Sequence, residues 1–188
     1  MNVNILVGRF QPLTAGHIKC VEYLSKNSDS TKKTRPTIIC MIETKGIDKK
    51  TGKIDPKRPF PTELFIQNYK DILSDCIGIE GIELIKSADI VKIKEQLELK
   101  GYNIVSWTCG SDRYNDYKRM VDRYAPEIEL IEIPRTDEDI SATKARAALM
   151  ENDEEEFLKL FIPLKTIKQK MIYKSKDLFN KFKHYVNK

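Results

Sequence analysis

The stretch Val3-Asn4-Ile5-Leu6-Val7-Gly8-Arg9-Phe10-Gln11-Pro12-Leu13-Thr14-Ala15-Gly16-His17 decides how this chain is read. Val3 to Val7 is an apolar run ending at Gly8, the pattern of a buried strand. Residues 15–26 then place Ile18, Val21 and Leu24 on one helical face. The decapeptide from Gly8 to His17 therefore links a first strand to a first helix. Gly8 lets the backbone turn sharply. Gly16 lets an anion come close to the chain, where the first amides of a new helix are offered. Arg9 brings a planar, permanently charged donor set. His17, at the helix start, is able to donate a hydrogen bond to charge growing on a phosphoryl group. The plain alternative is an ordinary βα turn with His17 as a helix-start residue.

Outward from this segment, the periodicity alternates. Thr37 to Ile42 reads as a second strand, residues 62–74 as a helix with Leu64, Ile66, Tyr69 and Leu73 as apolar candidates, and Ile82–Ile85 as a short strand. A helix over about 90–100 leads to a strand at Ile104–Thr108 that ends in Cys109-Gly110. A charged helix over 112–124, a strand at Ile128–Ile133 closed by Pro134, and short helices over 141–150 and 153–161 follow. Such alternation predicts an α/β fold: a Rossmann-like parallel sheet flanked by helices, with a C-terminal helical extension. Ligands of such sheets sit at the carboxyl ends of strands. Residues 27–35 and 45–61 read as loops; the second, with five lysines, two glycines and three prolines, is expected to be long and mobile.

The chain has 188 residues, 40% of them hydrophobic, which suits one core: a domain over 1–162 with residues 163–188 as a basic amphipathic helix packed on it. No apolar run reaches the roughly 18–20 residues of a membrane helix, and no secretory signal is visible, so no membrane partner is expected. Cys20, Cys40, Cys76 and Cys109 are scattered without a CxxC pair, the pattern of reduced thiols in a cytoplasmic protein. The net charge of +5 is concentrated in residues 164–188, which hold eight lysines and one acid, Asp177. Leu164, Ile167, Met171, Leu178, Phe182 and Tyr185 recur there at near-helical spacing. Those lysines are either the solvated face of a docked helix or a contact for a polyanion. The segment lacks arginine, which argues against base-specific reading of nucleic acid.

Three further motifs carry candidate chemistry. Ile140-Ser141-Ala142-Thr143-Lys144-Ala145-Arg146 places Ser141 or Thr143 as a helix cap, and Arg146 one turn on, where hydroxyls, amides and helix dipole favour an anion. Gly110-Ser111-Asp112-Arg113 ends one strand and opens a helix. Lys57-Arg58-Pro59-Phe60-Pro61-Thr62 lies in the basic loop. Trp107 either stacks on an aromatic ligand or belongs to the core.

The first motif resembles the signature of the nucleotidyltransferase superfamily that includes nicotinamide-mononucleotide adenylyltransferases, phosphopantetheine adenylyltransferases and cytidylyltransferases. Its pattern is histidine or threonine, any residue, then Gly-His; Thr14-Ala15-Gly16-His17 has the threonine form. Gly8-Arg9-Phe10-Gln11-Pro12 is similar to the nicotinamide-mononucleotide enzymes. Ile140-Ser141-Ala142-Thr143-Lys144-Ala145-Arg146 resembles the superfamily's Ile-Ser-x-Thr-x-x-Arg signature. Gly110-Ser111-Asp112 is similar to the Gly-Ser-Asp that related enzymes place near the nucleotide ribose. Where relatives follow the basic loop with Glu-Arg, this chain has Glu63 and then Leu64-Phe65-Ile66.

The resemblance implies a transferase that joins the α-phosphate of a nucleoside triphosphate to a phosphorylated acceptor and releases pyrophosphate. It implies catalytic roles for His17, Arg9 and Arg146, with His17 at the α-phosphate. It also implies nucleotide binding by Gly8, Phe10, Thr14, Gly16, Gly110, Asp112, Arg113, Ser141 and Thr143, and a phosphate loop at Lys57 and Arg58. Mg²⁺ is expected to arrive on the substrate phosphates, with no carboxylate cage from the protein. The acceptor expected first is nicotinamide mononucleotide with ATP. A phosphopantetheine or cytidylyl acceptor is the alternative, since Arg135-Thr136 before Ile140-Ser141 resembles the cytidylyl order. A non-catalytic nucleotide-binding or structural protein on the same fold is the other class, and a homo-oligomer is a further expectation.

Overall fold

The computed structural model describes residues 1–26, 35–55, 57–74, 76, 78–134, 142–161 and 169–186. Its elements run β1 (Asn2–Gly8), α1 (Ala15–Lys26), β2 (Thr37–Ile42), α2 (Thr62–Leu73), β3 (Ile79–Ile85), α3 (Ile90–Glu98), β4 (Asn103–Gly110), α4 (Ser111–Tyr124), β5 (Glu129–Ile133), α5 (Ala142–Met150), α6 (Glu154–Phe161) and α7 (Gln169–Val186). The chain divides into two compact units, one of residues 1–8, 19–42 and 76–139, the other of residues 9–18, 43–75 and 140–188.

The first unit is a five-stranded, wholly parallel sheet in the order β3-β2-β1-β4-β5. Val3, Ile5 and Val7 alternate onto one face and pack with Ile38, Cys40, Ile104 and Trp107. Ile90, Ile93 and Leu97, one stripe of α3, complete this core together with Val121 of α4. Asp89 caps α3 by accepting from the Val91 amide at 3.1 Å. Trp107 belongs to the core: it is fully buried and stacks on Tyr117 with centroids 4.2 Å apart. Burial pushes the Cys40 and Cys109 thiols up to about 12, so neither is a thiolate at neutral pH.

The opposite face of β1 carries Leu6 and a buried polar residue. Asn4 is buried; its Nδ2 donates to Thr37 Oγ1 at 3.2 Å, and its Oδ1 accepts from Ser106 Oγ at 3.0 Å and Thr108 Oγ1 at 2.9 Å. This seam ties β2, β1 and β4 with paired polar groups, as burial requires. β4 also runs two residues further than its apolar pattern, because Cys109 and Gly110 stay in register with Glu132 and Ile133 of β5.

The second unit is helical. α7 packs on α2, α5 and α6. Phe60 stacks on Phe182 at 4.1 Å, Phe65 lies 4.7 Å from Tyr69, and Phe157 lies 5.2 Å from Phe179 and 5.6 Å from Phe161. The buried face of α2 is Phe65, Asn68, Tyr69, Ile72 and Leu73; of the apolar candidates, Leu64 and Ile66 are only half-buried. Leu164 and Ile167 lie outside the described residues. Lys174, Lys176 and Lys181 of α7 pair with Asp71, Glu154 and Asp177 at 2.5, 3.2 and 3.0 Å. Among the described residues no helix is long and apolar enough to cross a membrane.

Candidate functional site

Most residues of the first and second motifs fall in the helical unit, where they gather on residues 9–18. Phe10 adopts φ 48°, the left-handed region that a bulky residue enters only when its surroundings hold it. Gln11 and Pro12 then turn the chain, through a cis peptide, toward Leu13. Phe10 and Leu13 are both buried, at 2% and 0% exposure. The phenol of Tyr69 bridges them: the Leu13 amide donates to its oxygen at 2.7 Å, and it donates to the Phe10 carbonyl at 2.9 Å.

Thr14 follows and serves the imidazole. Its amide donates to His17 Nδ1 at 3.0 Å, and its hydroxyl lies 2.8 Å from the same nitrogen. An N–H donor requires Nδ1 to be an acceptor, so the network assigns the neutral ring its proton on Nε2. That is the tautomer able to donate through Nε2. The Phe10 ring meets the imidazole edge-on at 4.9 Å and limits its rotation. The expectation that the first amides of α1 serve an anion needs correction at two positions. The His17 and Ile18 amides donate to the Thr14 carbonyl at 3.0 and 3.3 Å and are already used.

The second motif reaches the same segment. Arg146 donates from one terminal nitrogen to the Gln11 carbonyl at 2.5 Å and from the other to Thr143 Oγ1 at 3.2 Å. A charge-assisted bond of this kind contributes about 1.5–3 kcal/mol. Partial burial lowers the guanidinium's pKa from its usual value, yet both partners are neutral, and among the described residues no carboxylate pairs with it. Ser141 lies outside the described residues.

The basic loop is pinned at both ends. Gln11 pairs with the Phe60 backbone, its Nε2 donating to the Phe60 carbonyl at 2.8 Å and its Oε1 accepting from the Phe60 amide at 3.0 Å. Thr62 and Thr44 exchange two hydrogen bonds of 2.9 Å, and Ile47 and Ile54 form an antiparallel bridge. Gly46 has φ 76°, and a Cβ there would stand 2.6 Å from the Pro59 carbonyl oxygen, so only glycine fits. Within this loop, residues 47–54 form a short bridged turn. Arg58 donates from Nε to Asp55 Oδ2 at 2.7 Å, and this bond holds the Asp55 carboxyl below its usual range. Its charge is therefore already partnered. Lys57 is exposed, and neither it nor Lys45, Lys49, Lys50 or Lys53 is in an ion pair among the described residues. Arg9 is exposed.

Gly8, Gly110, Asp112 and Arg113 belong to the sheet unit. β1 and β4 are neighbours, in register at Leu6 and Thr108; two residues further each ends in a glycine, Gly8 and Gly110. Strand order departs in opposite directions on either side of this pair, so their carboxyl ends mark the topological switch point, where open α/β sheets bind ligands. α4 opens at Gly110 without a side-chain cap, and Asp112, exposed in its first turn, lies 3.7 Å from Arg113.

Three participants escaped the sequence reading. Gln11 was quoted only as part of a motif. Asn4 was hidden in an apolar run. Tyr69 was counted as an apolar candidate, although a buried tyrosine signals that its hydroxyl has a partner. Among the described residues no cluster of three or more His, Cys, Asp or Glu side chains is placed to hold a metal ion.

No protein-family model and no curated protein matches the chain. Solved structures do. Plasmodium falciparum nicotinic acid mononucleotide adenylyltransferase, complexed with NaAD or with APC, superposes with a TM-score of 0.56 at 19% identity, over 98% of this chain and 97% of that one. A Vibrio parahaemolyticus protein described as a candidate nicotinate-nucleotide adenylyltransferase gives 0.53 at 16%, over 95% and 99%. A macrolide-efflux protein of Streptococcus pneumoniae gives 0.55 at 19%, over 87% of this chain and 58% of that one. At these identities the likeness is one of fold: this chain has the α/β, Rossmann-like parallel sheet of those structures, with a C-terminal helix.

Proposed function

We propose that the chain is a nucleotidyltransferase of the adenylyl type, passing the adenylyl group of ATP to a pyridine mononucleotide and releasing pyrophosphate. The observation that carries this reading is the convergence on residues 10–17. His17 is held as an Nε2–H donor by Thr14, while Arg146, from a motif far along the chain, binds the neutral Gln11 carbonyl. The fold neighbours named for nicotinate mononucleotides support the acceptor class. Nicotinamide mononucleotide is the acceptor favoured by the Gly8–Pro12 wording.

In this reading an ionised oxygen of the acceptor's phosphate attacks the α-phosphorus in line. The bond to the bridging oxygen breaks, and its electron pair leaves with pyrophosphate. A phosphate monoester needs no general base near neutral pH, so catalysis consists of positioning and charge stabilisation. His17 donates to the α-phosphate oxygen as its charge grows. Arg146 and Thr143, with Ser141, hold the β- and γ-phosphates; Arg9 and Lys57 add exposed charge. Gly8, Phe10, Gly16, Gly110, Asp112 and Arg113 are assigned to the nucleotide. Thr14 acts through His17, and Arg58 contributes only what Asp55 leaves it. Imidazole, guanidinium and hydroxyls suit phosphate oxygens better than a cation, so Mg²⁺ is assigned to the triphosphate and its waters, where it offsets negative charge.

The test is pyrophosphate release with ATP, CTP and GTP against nicotinamide mononucleotide, nicotinic acid mononucleotide, phosphopantetheine and sugar phosphates. ATP with a pyridine mononucleotide is expected to be fastest. His17→Ala is expected to lower kcat by about 10²–10³ with little change in nucleotide affinity. Release with no pair, or full turnover in His17→Ala, overturns the reading.

A further inference from the structure

We infer that Tyr69 is a positioning residue for the segment bearing Thr14 and His17, its phenol bridging the two ends of the Phe10–Leu13 turn. The kinetic part of this inference rests on the function proposed above; the structural part does not.

In an ordinary β-turn the first carbonyl accepts directly from the fourth amide. Here Gln11 and Pro12 are the central residues of a turn, and the phenol also joins its two ends, donating to the Phe10 carbonyl at 2.9 Å and accepting from the Leu13 amide at 2.7 Å. Tyr69 has little freedom to follow a shifting turn. It sits on the buried face of α2, tilted against Phe65 at 4.7 Å and Phe161 at 5.9 Å. Burial raises the phenol's pKa, so it remains a donor at working pH.

Both catalytic candidates hang from this turn. Leu13 directly precedes Thr14, whose amide sets the His17 tautomer. Gln11, inside the turn, supplies the carbonyl that Arg146 holds. Removing one oxygen leaves two choices. Either a buried carbonyl and a buried amide lose their partner, or the turn shifts and carries Gln11 and Thr14 with it. Small displacements matter, because a misplacement of about 1 Å can cost roughly 10²-fold in rate.

Tyr69→Phe in the full chain tests this with two readouts. One is steady-state pyrophosphate release. The other is the side-chain ¹⁵N shifts of His17, separated from those of His184 by comparison with His17→Ala. Ile72→Val, on the same buried face, controls for lost packing. The expected result for Tyr69→Phe is a kcat lower by about tenfold or more, a KM for ATP within about twofold, and His17 shifts moved away from a single Nε2–H tautomer. Ile72→Val is expected to lower Tm and change neither readout. A Tyr69→Phe chain with unaltered kcat and unaltered His17 shifts, and only a lower Tm, overturns the inference. If the unmodified chain releases no pyrophosphate, the function fails and the ¹⁵N shifts alone decide the positioning role. If Tyr69→Phe does not fold, amide exchange in the unmodified chain decides it. Leu13 protected as strongly as the interior of α2 supports the bridge; exchange at the rate of an exposed loop overturns it.

Discussion

Arg146 and the lysines of α7 carry the same charge and spend it differently. Arg146 meets neutral oxygens, the Gln11 carbonyl at 2.5 Å and the Thr143 hydroxyl at 3.2 Å. Lys174, Lys176 and Lys181 each meet a carboxylate, of Asp71, Glu154 and Asp177. A carbonyl dipole orients a cation without cancelling it, whereas a carboxylate cancels it. An incoming phosphate gains the full attraction of Arg146 but must first break a pair in α7. The eight lysines of residues 164–188 dominate the net charge, yet Lys174 and Lys176 are committed to α2 and α6, and Lys181 to Asp177 within α7 itself. Arg58, paired with Asp55, belongs with α7 in this respect, although its motif placed it beside Arg146.

The contrast breaks most readily at Arg146. Arg146→Ala is expected to lower kcat/KM for ATP by about 10²-fold, the loss of one preorganised charge on the triphosphate, with a Tm lower by several degrees from the lost bond to the Gln11 carbonyl. A large fall in Tm with full activity would instead make Arg146 a packing residue like those of α7. The double variant Lys174→Ala, Lys181→Ala should differ from it in activity. Its two pairs are part-exposed and worth about 0.2–1 kcal/mol each, so Tm should drop by a few degrees while pyrophosphate release stays the same. A changed KM for ATP would show that α7 meets the substrate.

Asp55→Asn gives the smallest effect and sharpens the case of Arg58. The Asp55 carboxyl is held below the ordinary aspartate value of 3.8, chiefly by the Arg58 hydrogen bond. A depressed carboxylate contributes stability above its unfolded pKa and loses it as pH falls through the folded one. Thermal melts of the unmodified chain should therefore lose stability as pH drops below about 4. The Asn variant should be less stable at pH 7 and lose less over that acid range. Parallel acid limbs for the two chains would show that the pair is not formed in solution.

The alternation of apolar runs and helical stripes placed nearly every element within a few residues, because period and turn chemistry are local. Boundaries failed where a partner strand prolonged the ladder, as at Cys109 and Gly110 opposite β5. On α2 the buried residues Phe65, Asn68, Tyr69 and Ile72 follow the helical period, whereas of the apolar candidates Leu64 and Ile66 stay half-buried. The candidate site divides in the same way. His17, Thr14, Arg146 and the strand-end glycines were legible because their motifs are contiguous words. Tyr69 and Gln11 were not, because each acts on backbone brought near it only by folding.

Sequence by itself determined the sheet-and-helix alternation, the glycines that end β1 and β4, and the residue types able to meet a phosphate. Tertiary structure alone decided that Arg146 meets the neutral Gln11 carbonyl while Lys174 and Lys176 meet carboxylates of other helices. The reason is range. Periodicity and turn preference act over a few neighbouring residues, whereas these cations need partners within about 3 Å that lie far along the chain. The distance between Gln11 and Arg146 along the chain says nothing of that approach.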